Sequence, residues 1–206
     1  MRIVAISDTH NLHDEISIPD GDVLIHAGDF TERGTLEEFL EFERFFRKLP
    51  HEHKLIVAGN HDFYLEDHPE EAAEILADYH YLLDSGLSID GVKFYGSPWQ
   101  PRFQHWAFNL DRGAEIKAKW DLIPEDVNIL ITHGAPYGIG DQTFQEENIG
   151  CEELLKAVKR IKPKYHIFGH IHEGFGRRVI GETTFINAAI CDMHYQAANQ
   201  ATIIDW

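Results

Sequence analysis

Lys54-Leu55-Ile56-Val57-Ala58 runs directly into Gly59-Asn60-His61-Asp62, so an apolar stretch ends in side chains that can bind a metal or carry a proton. Short apolar runs of this kind are typical of buried β-strands. The same construction occurs at four other places in the chain. These further polar tips are Asp8-Thr9-His10, Gly28-Asp29, His133-Gly134 and Gly169-His170-Ile171-His172. Five strands are therefore expected to end in histidine, aspartate or asparagine side chains.

The segments between these strands alternate helical and antiparallel patterns. Thr35 and Glu38 form the sequence signature of a capping box, which predicts a helix from this point to Pro50. Further helices are expected over residues 69–79, 114–122 and 151–161, hairpins over 87–95 and 177–187, and a last strand over 201–205. Strand–helix alternation combined with hairpins predicts an α/β fold in which two packed sheets are covered by outer helices.

The composition sets limits on size, location and partners. With 206 residues, 43% of them hydrophobic, the chain is long enough for one well-buried core, and we expect a single domain over residues 1–206. A net charge of -17 disfavours stable binding of long nucleic acids, because such binding depends on neutralising phosphates. Only Cys151 and Cys191 are present, without metal-binding spacing, and no apolar run suits a signal peptide or a membrane span. A soluble, cytoplasmic protein is expected.

The five polar tips are expected to meet in one cleft, because ligand sites in α/β sheets collect beyond the carboxyl ends of strands. The side chains brought there would be Asp8, His10, Asp29, Asn60, His61, Asp62, His133, His170 and His172. Imidazole and carboxylate together suit first-row metals such as manganese, iron, cobalt, nickel and zinc. One ion rarely takes more than about four to six ligands, so the set predicts two ions that share a carboxylate. The natural chemistry of such a centre is phosphoester hydrolysis by a metal-activated water.

The order of the tips resembles the motifs of the calcineurin-like metallophosphoesterase superfamily. The matching motifs are Asp8-x-His10, Gly28-Asp29, Gly59-Asn60-His61-Asp62, Thr132-His133 and Gly169-His170-x-His172. A closer resemblance is to the metallophosphoesterase-domain-containing branch, carried by Gly96-Ser97-Pro98-Trp99-Gln100-Pro101, Trp106-Ala107-Phe108-Asn109 and Asn187-Ala188-Ala189-Ile190-Cys191-Asp192. This resemblance covers nearly the whole chain. It implies a four-layer αββα sandwich, with two mixed sheets and flanking helices.

The resemblance also implies a role for each polar tip. It assigns Asp8, His10 and His172 to a first metal ion, Asn60, His133 and His170 to a second, and Asp29 to a bridge between the two. His61 would lie beside the phosphate, where it binds a phosphoryl oxygen or protonates the leaving alkoxide. Asp62 would orient the imidazole of His61, since a histidine held by a carboxylate is a common arrangement for proton transfer.

The residues and the resemblance together predict an enzyme, a binuclear metal-dependent phosphodiesterase that hydrolyses small phosphodiesters. Cyclic nucleotides are the substrate class that the resemblance implies. Two divalent ions are expected, with manganese preferred and iron, cobalt, nickel or zinc as alternatives. Two other functions stay open, namely a phosphomonoesterase or nuclease on the same scaffold, and a non-catalytic metal-binding interaction module. The intact His61 argues against the last, because such a module needs no proton donor. The oligomeric state is not predicted.

The remaining histidines and the long loops carry weaker expectations. His26 lies within an apolar run and is expected to be a buried, hydrogen-bonded strand residue. Surface positions are expected for His51, His53, His68 and His80. His13, His105 and His194 sit in loops that could border the cleft. Loops as long as 98–113 and 134–150 are often functional. The aromatic side chains of the first loop either stack on a nucleobase or cap the core, and the second role is favoured.

Overall fold

Two mixed β-sheets stack face to face at the centre of the molecule, which a computed structural model describes over residues 1–206. The first sheet contains β1 (Arg2–Ile6), β2 (Val23–His26), β3 (His53–Ile56), β4 (His80–Tyr81) and β13 (Thr202–Asp205). The second contains β5 (Ser85–Ile89), β6 (Val92–Ser97), β9 (Ile129–Thr132), β10 (Tyr165–Phe168), β11 (Gly176–Ile180) and β12 (Thr183–Asn187). A short ribbon pairs β7 (Gln100–Pro101) with β8 (Asn109–Leu110). In space the two sheets run β13–β1–β2–β3–β4 and β11–β12–β10–β9–β6–β5.

Five α-helices cover the outer faces of the sheets. They are α1 (Leu36–Lys48), α2 (Phe63–Asp67), α3 (Pro69–Ile75), α4 (Ala114–Trp120) and α5 (Glu152–Ile161). The predicted capping box is confirmed, since the Thr35 hydroxyl accepts from the Glu38 N–H while the Glu38 carboxylate accepts from the Thr35 N–H. The helix predicted over 69–79 is shorter than expected, and the turn that follows it brings the Tyr79 hydroxyl to 2.8 Å from Glu43 Oε1 on α1. A bilayer-spanning helix is not among the five, since each falls short of the necessary apolar length.

Three apolar layers hold the four structural layers together. Along β1, Ile3 and Ala5 face the opposite sheet, whereas Val4 and Ile6 pack on the other side against residues of α1 such as Phe42. The strands of the second sheet alternate in the same way between the central layer and a third layer formed with α4 and α5. Strands buried on both faces have continuous apolar sequences, and for this reason the five strands that end in polar tips can be recognised from the sequence. The four-layer αββα prediction is confirmed.

The polar strand tips meet at one end of this sandwich. β1, β2 and β3 run parallel in the first sheet, and β9 and β10 run parallel in the second, so each set of carboxyl ends lies along one edge. The Ser7 N–H donates to the Ala188 carbonyl oxygen at 2.9 Å, which ties the tip of β1 to the segment after β12 in the other sheet. The two sets of tips therefore face a common cleft.

Candidate metal centre

The structure brings together the ligands expected at all five strand tips. Asp8, His10 and His172 offer ligand atoms that all lie within 4.8 Å of one another, and so do Asp29, His133 and His170. These residues come from both sheets, because Asp8, His10 and Asp29 follow β1 and β2 whereas the other three follow β9 and β10. The strand order of the fold thus assembles, in three dimensions, the groups that the sequence places up to 164 residues apart, from position 8 to position 172.

The backbone at several of these positions has an unusual conformation. Asp8, His10, Asp29 and His170 have φ values of 52°, 39°, 56° and 69°, in the left-handed region that side chains other than glycine rarely adopt. Such residues collect at functional sites, where the surrounding structure holds them in place. The Asp8 carboxylate does so here by accepting the His170 N–H with both oxygens at 3.0 Å.

A close approach explains why glycine precedes two of the ligand motifs. A Cβ atom added to Gly59 would lie 2.2 Å from Asp29 Oδ1, and one added to Gly169 would lie 2.0 Å from Asp8 Oδ2. No side chain fits at these distances. The glycines at these two tips are therefore required for the carboxylates to reach the centre.

The side chains form two groups that share Asp29. In the first, His172 Nε2 lies 3.5 Å from Asp8 Oδ1 and 3.3 Å from His10 Nε2. In the second, His133 Nε2 lies 2.9 Å from Asn60 Oδ1 and 3.3 Å from Asp29 Oδ2. The same Oδ2 atom is 3.9 Å from His10 Nε2 in the first group. One carboxylate oxygen thus lies within reach of both groups.

Backbone carbonyls fix the orientation of the imidazoles. The Nδ1–H of His10 donates to the Thr31 carbonyl at 3.2 Å, that of His133 to Ala27 at 2.9 Å, and that of His172 to Asp192 at 2.8 Å. A carbonyl oxygen can only accept, so the proton of each neutral ring lies on Nδ1 and the lone pair lies on Nε2. Metal-binding histidines are typically held in this way. The Nε2 atoms are accordingly presented to the centre as ligands.

The charges at the centre suit divalent cations. Burial alone would raise the pKa of Asp8 and Asp29, but hydrogen bonds and charge from His172 and His133 hold both pKa values below the usual range. Burial alone would lower the pKa of His133 and of His172, but these carboxylates raise both pKa values to about 9. Burial lowers the pKa of His10 and of His170 to about 4, so these two rings are neutral. Two buried anions, an amide oxygen and four imidazoles, of which His133 and His172 must each release a proton before they bind, form a donor set that fits first-row divalent metals.

The prediction that Asp62 orients His61 is wrong. The Asp62 carboxylate accepts from the backbone N–H groups of Gly59 at 2.7 Å, Asp29 at 2.9 Å and Thr31 at 3.1 Å. It therefore joins the tips of β2 and β3 beneath the centre and makes no hydrogen bond to the His61 imidazole. His61 is instead oriented by the loop after β2, because its Nδ1 donates to the Glu32 carbonyl at 2.6 Å.

Two aromatic side chains enclose the imidazoles from the solvent side. The Trp106 ring lies 4.2 Å from the ring of His61, measured between centroids, and His61 in turn lies 4.7 Å from His10. The Tyr195 ring lies 4.8 Å from His10 and 5.2 Å from His172. Sequence reasoning missed Tyr195, which lies in a polar turn without a recognisable motif. The only local signal is Asp192, whose carboxylate accepts two backbone N–H groups and so closes that turn.

A cleft of about 450 Å³ opens over the centre, and both long loops line it. Loop 98–113 contributes Trp106 and Phe103, and loop 134–150 contributes Phe144. The two phenylalanine side chains are 59% and 67% exposed, so they form apolar walls at the mouth. Trp99 caps the core, because it packs on Phe108 and its Nε1–H donates to Asp84. The aromatic residues of the first loop therefore both cap the core and line the cleft.

The histidines outside the centre follow the expectations with one exception. His26 is fully buried and hydrogen-bonded, as predicted. His51 was expected at the surface but is only 4% exposed, because the loop before β2 covers it and the Pro19 carbonyl accepts from its Nε2 at 3.0 Å. His13 is buried against Phe45, and neither His105 nor His194 lines the cleft. Of the three loop histidines, none takes part in the site.

Two buried histidine–threonine pairs support the ligand-bearing tips from behind. Thr132 Oγ1 donates to the Gly134 carbonyl at 2.7 Å, so its lone pair accepts from His166 Nε2 at 2.9 Å. At the tip of β1, a second pair has Thr9 Oγ1 at 2.9 Å from His26 Nε2. Burial lowers the pKa of both histidines to about 3, so the rings are neutral at ordinary pH. Each pair joins a strand that carries ligands to its neighbour in the sheet.

Thr132→Val is expected to destabilise the metal-free protein by about 1–3 kcal/mol, since it leaves the His166 Nε2–H buried without an acceptor. The free energy of unfolding in urea measures this effect. Thr202→Val is the matched control, because the Thr202 hydroxyl lies on edge strand β13 and makes no hydrogen bond. Equal unfolding free energies for wild type and Thr132→Val would show that the pair contributes nothing.

Known proteins resemble this chain in sequence. The family model described as calcineurin-like phosphoesterase matches residues 1–174. Metallophosphoesterase domain-containing protein 1 from Homo sapiens is 44% identical, over 99% of this chain and 70% of its own length. UPF0046 protein K07C11.7 from Caenorhabditis elegans is 45% identical, over 93% of this chain and 70% of its own length. Matches of this extent include every strand tip that forms the centre.

Solved structures resemble the chain in fold. The protein TT1561 of Thermus thermophilus superimposes with a TM-score of 0.61 at 16% identity, covering 90% of this chain and 88% of its own. A structure described as a novel archaeal phosphodiesterase superimposes with a TM-score of 0.54 at 19% identity, covering 100% of this chain and 93% of its own. At these identities the likeness concerns the fold alone, and it agrees with the four-layer architecture.

Proposed function

The chain belongs to the calcineurin-like phosphoesterase family, whose members are metal-dependent phosphoester hydrolases, and from this premise we propose that it is a binuclear phosphodiesterase acting on small phosphodiesters. The observation that carries the proposal is the position of Asp29. Its Oδ2 atom lies 3.3 Å from His133 Nε2 and 3.9 Å from His10 Nε2, so one carboxylate oxygen serves two groups of ligands. This is the arrangement that a bridged pair of ions requires.

The residues present fit two divalent ions. Asp8, His10 and His172 would hold the first and Asn60, His133 and His170 the second, with Asp29 shared between them. When bound, such a pair neutralises charge on the phosphoryl group and lowers the pKa of water. Asn60 is a neutral ligand, so it leaves the positive charge of the ions undiminished. We propose manganese as the resident metal, with iron, cobalt, nickel and zinc as the ions that the same ligands accept.

His61 would act as the general acid of the reaction. Its Nδ1–H is held by the Glu32 carbonyl at 2.6 Å, so Nε2 is the ring atom that can exchange a proton with a molecule in the cleft. His61 lines the cleft directly and is only 7% exposed, which restricts competition from bulk water. We assign it the donation of a proton from Nε2 to the departing oxygen. Asp62 has a structural part in this scheme, because it joins the tips of β2 and β3.

The cleft supports a small substrate with an aromatic group. A volume of about 450 Å³ is typical of sites for small molecules. Trp106, Phe103 and Phe144 provide flat apolar surfaces beside the centre, which suits a nucleobase. The net charge of -17 opposes long polyanions such as DNA, so we propose cyclic nucleotides as the substrate class.

Hydrolysis by metal-stripped and reloaded protein tests the proposal. The protein is depleted with a chelator, reloaded with manganese, iron, cobalt, nickel or zinc, and assayed on bis(p-nitrophenyl) phosphate, p-nitrophenyl phosphate, cyclic AMP and duplex DNA. We expect two ions per chain and diester cleavage at least ~10-fold faster than monoester cleavage. Faster monoester or DNA cleavage would identify a monoesterase or a nuclease instead. Two bound ions without turnover of any substrate would identify a metal-binding module.

A further inference from the structure

Positive charge is concentrated in one part of this acidic chain. Seven of the 18 lysine and arginine residues lie between positions 156 and 178, where Glu173 is the only acidic residue. The seven are Lys156, Lys159, Arg160, Lys162, Lys164, Arg177 and Arg178. They belong to the end of α5, the loop before β10, and β11. This segment of the chain is therefore basic, in a molecule whose net charge is -17.

Several of these cations have no acidic partner. Arg160 and Lys162 form ion pairs with Glu125 and Glu182, but Lys159, Lys164, Arg177 and Arg178 form none. Aromatic rings hold two of the unpaired groups in place. Lys164 Nζ lies 3.9 Å from the ring centroid of Trp206, and Arg177 Cζ lies 5.7 Å from that of Tyr165. Lys164 and Arg177 are thus held on the surface, and none of the four free cations lines the cleft over the metal centre.

The basic region includes an unpaired sheet edge. β11 is the terminal strand of the second sheet and pairs only with β12. Outside that ladder, the backbone of residues 177–180 makes no hydrogen bond within the molecule. The side chains of Val179 and Ile180 are exposed on this edge by 69% and 51%. An exposed edge with β-branched side chains is a template for a further strand.

We propose that β11 is a docking edge for an extended acidic segment of a partner protein, which adds to the second sheet as a seventh strand. The outward N–H and C=O groups of the edge would pair with the backbone of the segment. Arg177 and Arg178 would contact its acidic side chains, and Lys159 and Lys164 would attract it to this side of the molecule. These side chains are not among the residues that line the cleft in which the proposed phosphodiesterase reaction takes place.

The alternation of the strand predicts the sequence that fits. Successive side chains point to opposite faces, so Arg177 and Val179 share one face while Arg178 and Ile180 share the other. Each face thus presents one cation and one apolar side chain in the same order. A partner strand that runs antiparallel would carry two apolar residues followed by two acidic residues. A parallel strand would carry them in the reverse order.

The chemistry of the edge favours a peptide over other anionic partners. A membrane surface or a nucleic acid has no peptide groups that can pair with the backbone along β11. Pairing of two copies through β11 would bring four arginine side chains together between two chains that each carry a net charge of -17. An acidic extended segment satisfies both the backbone groups and the cations.

Selection from a display library of random twelve-residue peptides tests the proposal with the full chain. We expect the selected peptides to combine adjacent acidic residues with adjacent β-branched residues. Fluorescence anisotropy then compares one labelled selected peptide with wild type, an Arg177→Glu/Arg178→Glu variant and an Arg2→Glu/Lys48→Glu control of equal charge change. We expect binding to weaken at least ~10-fold in the first variant only. The amides of residues 177–180 should gain protection from hydrogen exchange when the peptide binds.

Several results would overturn the proposal. They are the selection of peptides without acidic residues, equal affinity of the two double variants, and binding without protection of residues 177–180. Binding of phosphatidylserine vesicles or single-stranded DNA that the β11 variant abolishes, without peptide binding, would likewise assign the basic region to another partner. Unchanged metal-dependent hydrolysis in both variants confirms that each is folded.

Discussion

Asp29→Asn is expected to abolish metal-dependent hydrolysis of phosphodiesters, with kcat/KM falling at least ~10³-fold. The Oδ2 atom of Asp29 lies within 4.0 Å of imidazoles from both ligand groups, at 3.3 Å from His133 Nε2 and 3.9 Å from His10 Nε2. The amide keeps the size of the side chain. It also keeps an oxygen that can accept from the backbone N–H of His61, whose nitrogen lies 2.7 Å from Asp29 Oδ1. It removes the negative charge that two adjacent cations need. Steady-state kinetics and metal content by mass spectrometry measure the two consequences together.

The metal content makes this prediction specific to the bridge. We expect the variant to hold fewer than two ions per chain under conditions in which wild type holds two. Asp84→Asn is the matched control, because Asp84 is also shielded from solvent but accepts from Ser97 and Trp99, outside the centre. Two bound ions and activity within ~10-fold of wild type in Asp29→Asn would show that the carboxylate does not bridge them.

The strand tips could be predicted because each is a local pattern. At β1 and β3, an apolar strand passes directly into its polar side chains, and the sandwich buries both faces of the strand. Hydrophobic burial therefore fixes where the strand ends, and the polar side chains begin where the strand leaves the core. The parallel order of neighbouring strands then brings the tips together. Nothing beyond the order of residues was needed to expect Asp8 and Asn60 in one cleft.

Asp62 shows what a local pattern cannot predict. It follows His61 directly in the sequence, and a carboxylate next to a histidine suggested that one orients the other. Among the partners of Asp62 are instead the backbone N–H groups of Asp29 and Thr31, some thirty residues earlier in the chain, at 2.9 Å and 3.1 Å. Backbone donors carry no sequence signature, so their position is known only once the loop after β2 is folded onto the tip of β3.

Tyr195 and His51 illustrate the same limit at the level of loops. Tyr195 reaches the imidazoles of the first group because a turn closed by Asp192 gives it a left-handed backbone, with φ at 57°. His51 is buried because the carbonyl of Pro19 in another loop covers it. Both positions depend on how irregular segments pack on the finished sheets. Periodicity describes strands and helices, and it carries no information about such contacts.

His61→Ala is expected to lower kcat at least ~10²-fold for a diester with an alkoxide leaving group, while both metal ions are retained. The Glu32 carbonyl holds the Nδ1 proton at 2.6 Å, so the transferable proton is the one on Nε2. The rings of Trp106 and His10, at 4.2 Å and 4.7 Å between centroids, fix the plane of the imidazole. Cyclic AMP hydrolysis at saturating substrate measures kcat, and metal content is determined on the same preparation.

The leaving group decides which of the two roles His61 has. An alkoxide must be protonated as it departs, whereas p-nitrophenolate is stable as an anion. If Nε2 protonates the departing oxygen, His61→Ala lowers the rate for cyclic AMP far more than the rate for bis(p-nitrophenyl) phosphate. Equal losses for both substrates would mean that His61 binds a phosphoryl oxygen instead. His105→Ala is the control, because His105 is exposed in the same loop as Trp106 and does not line the cleft, so neither rate should change.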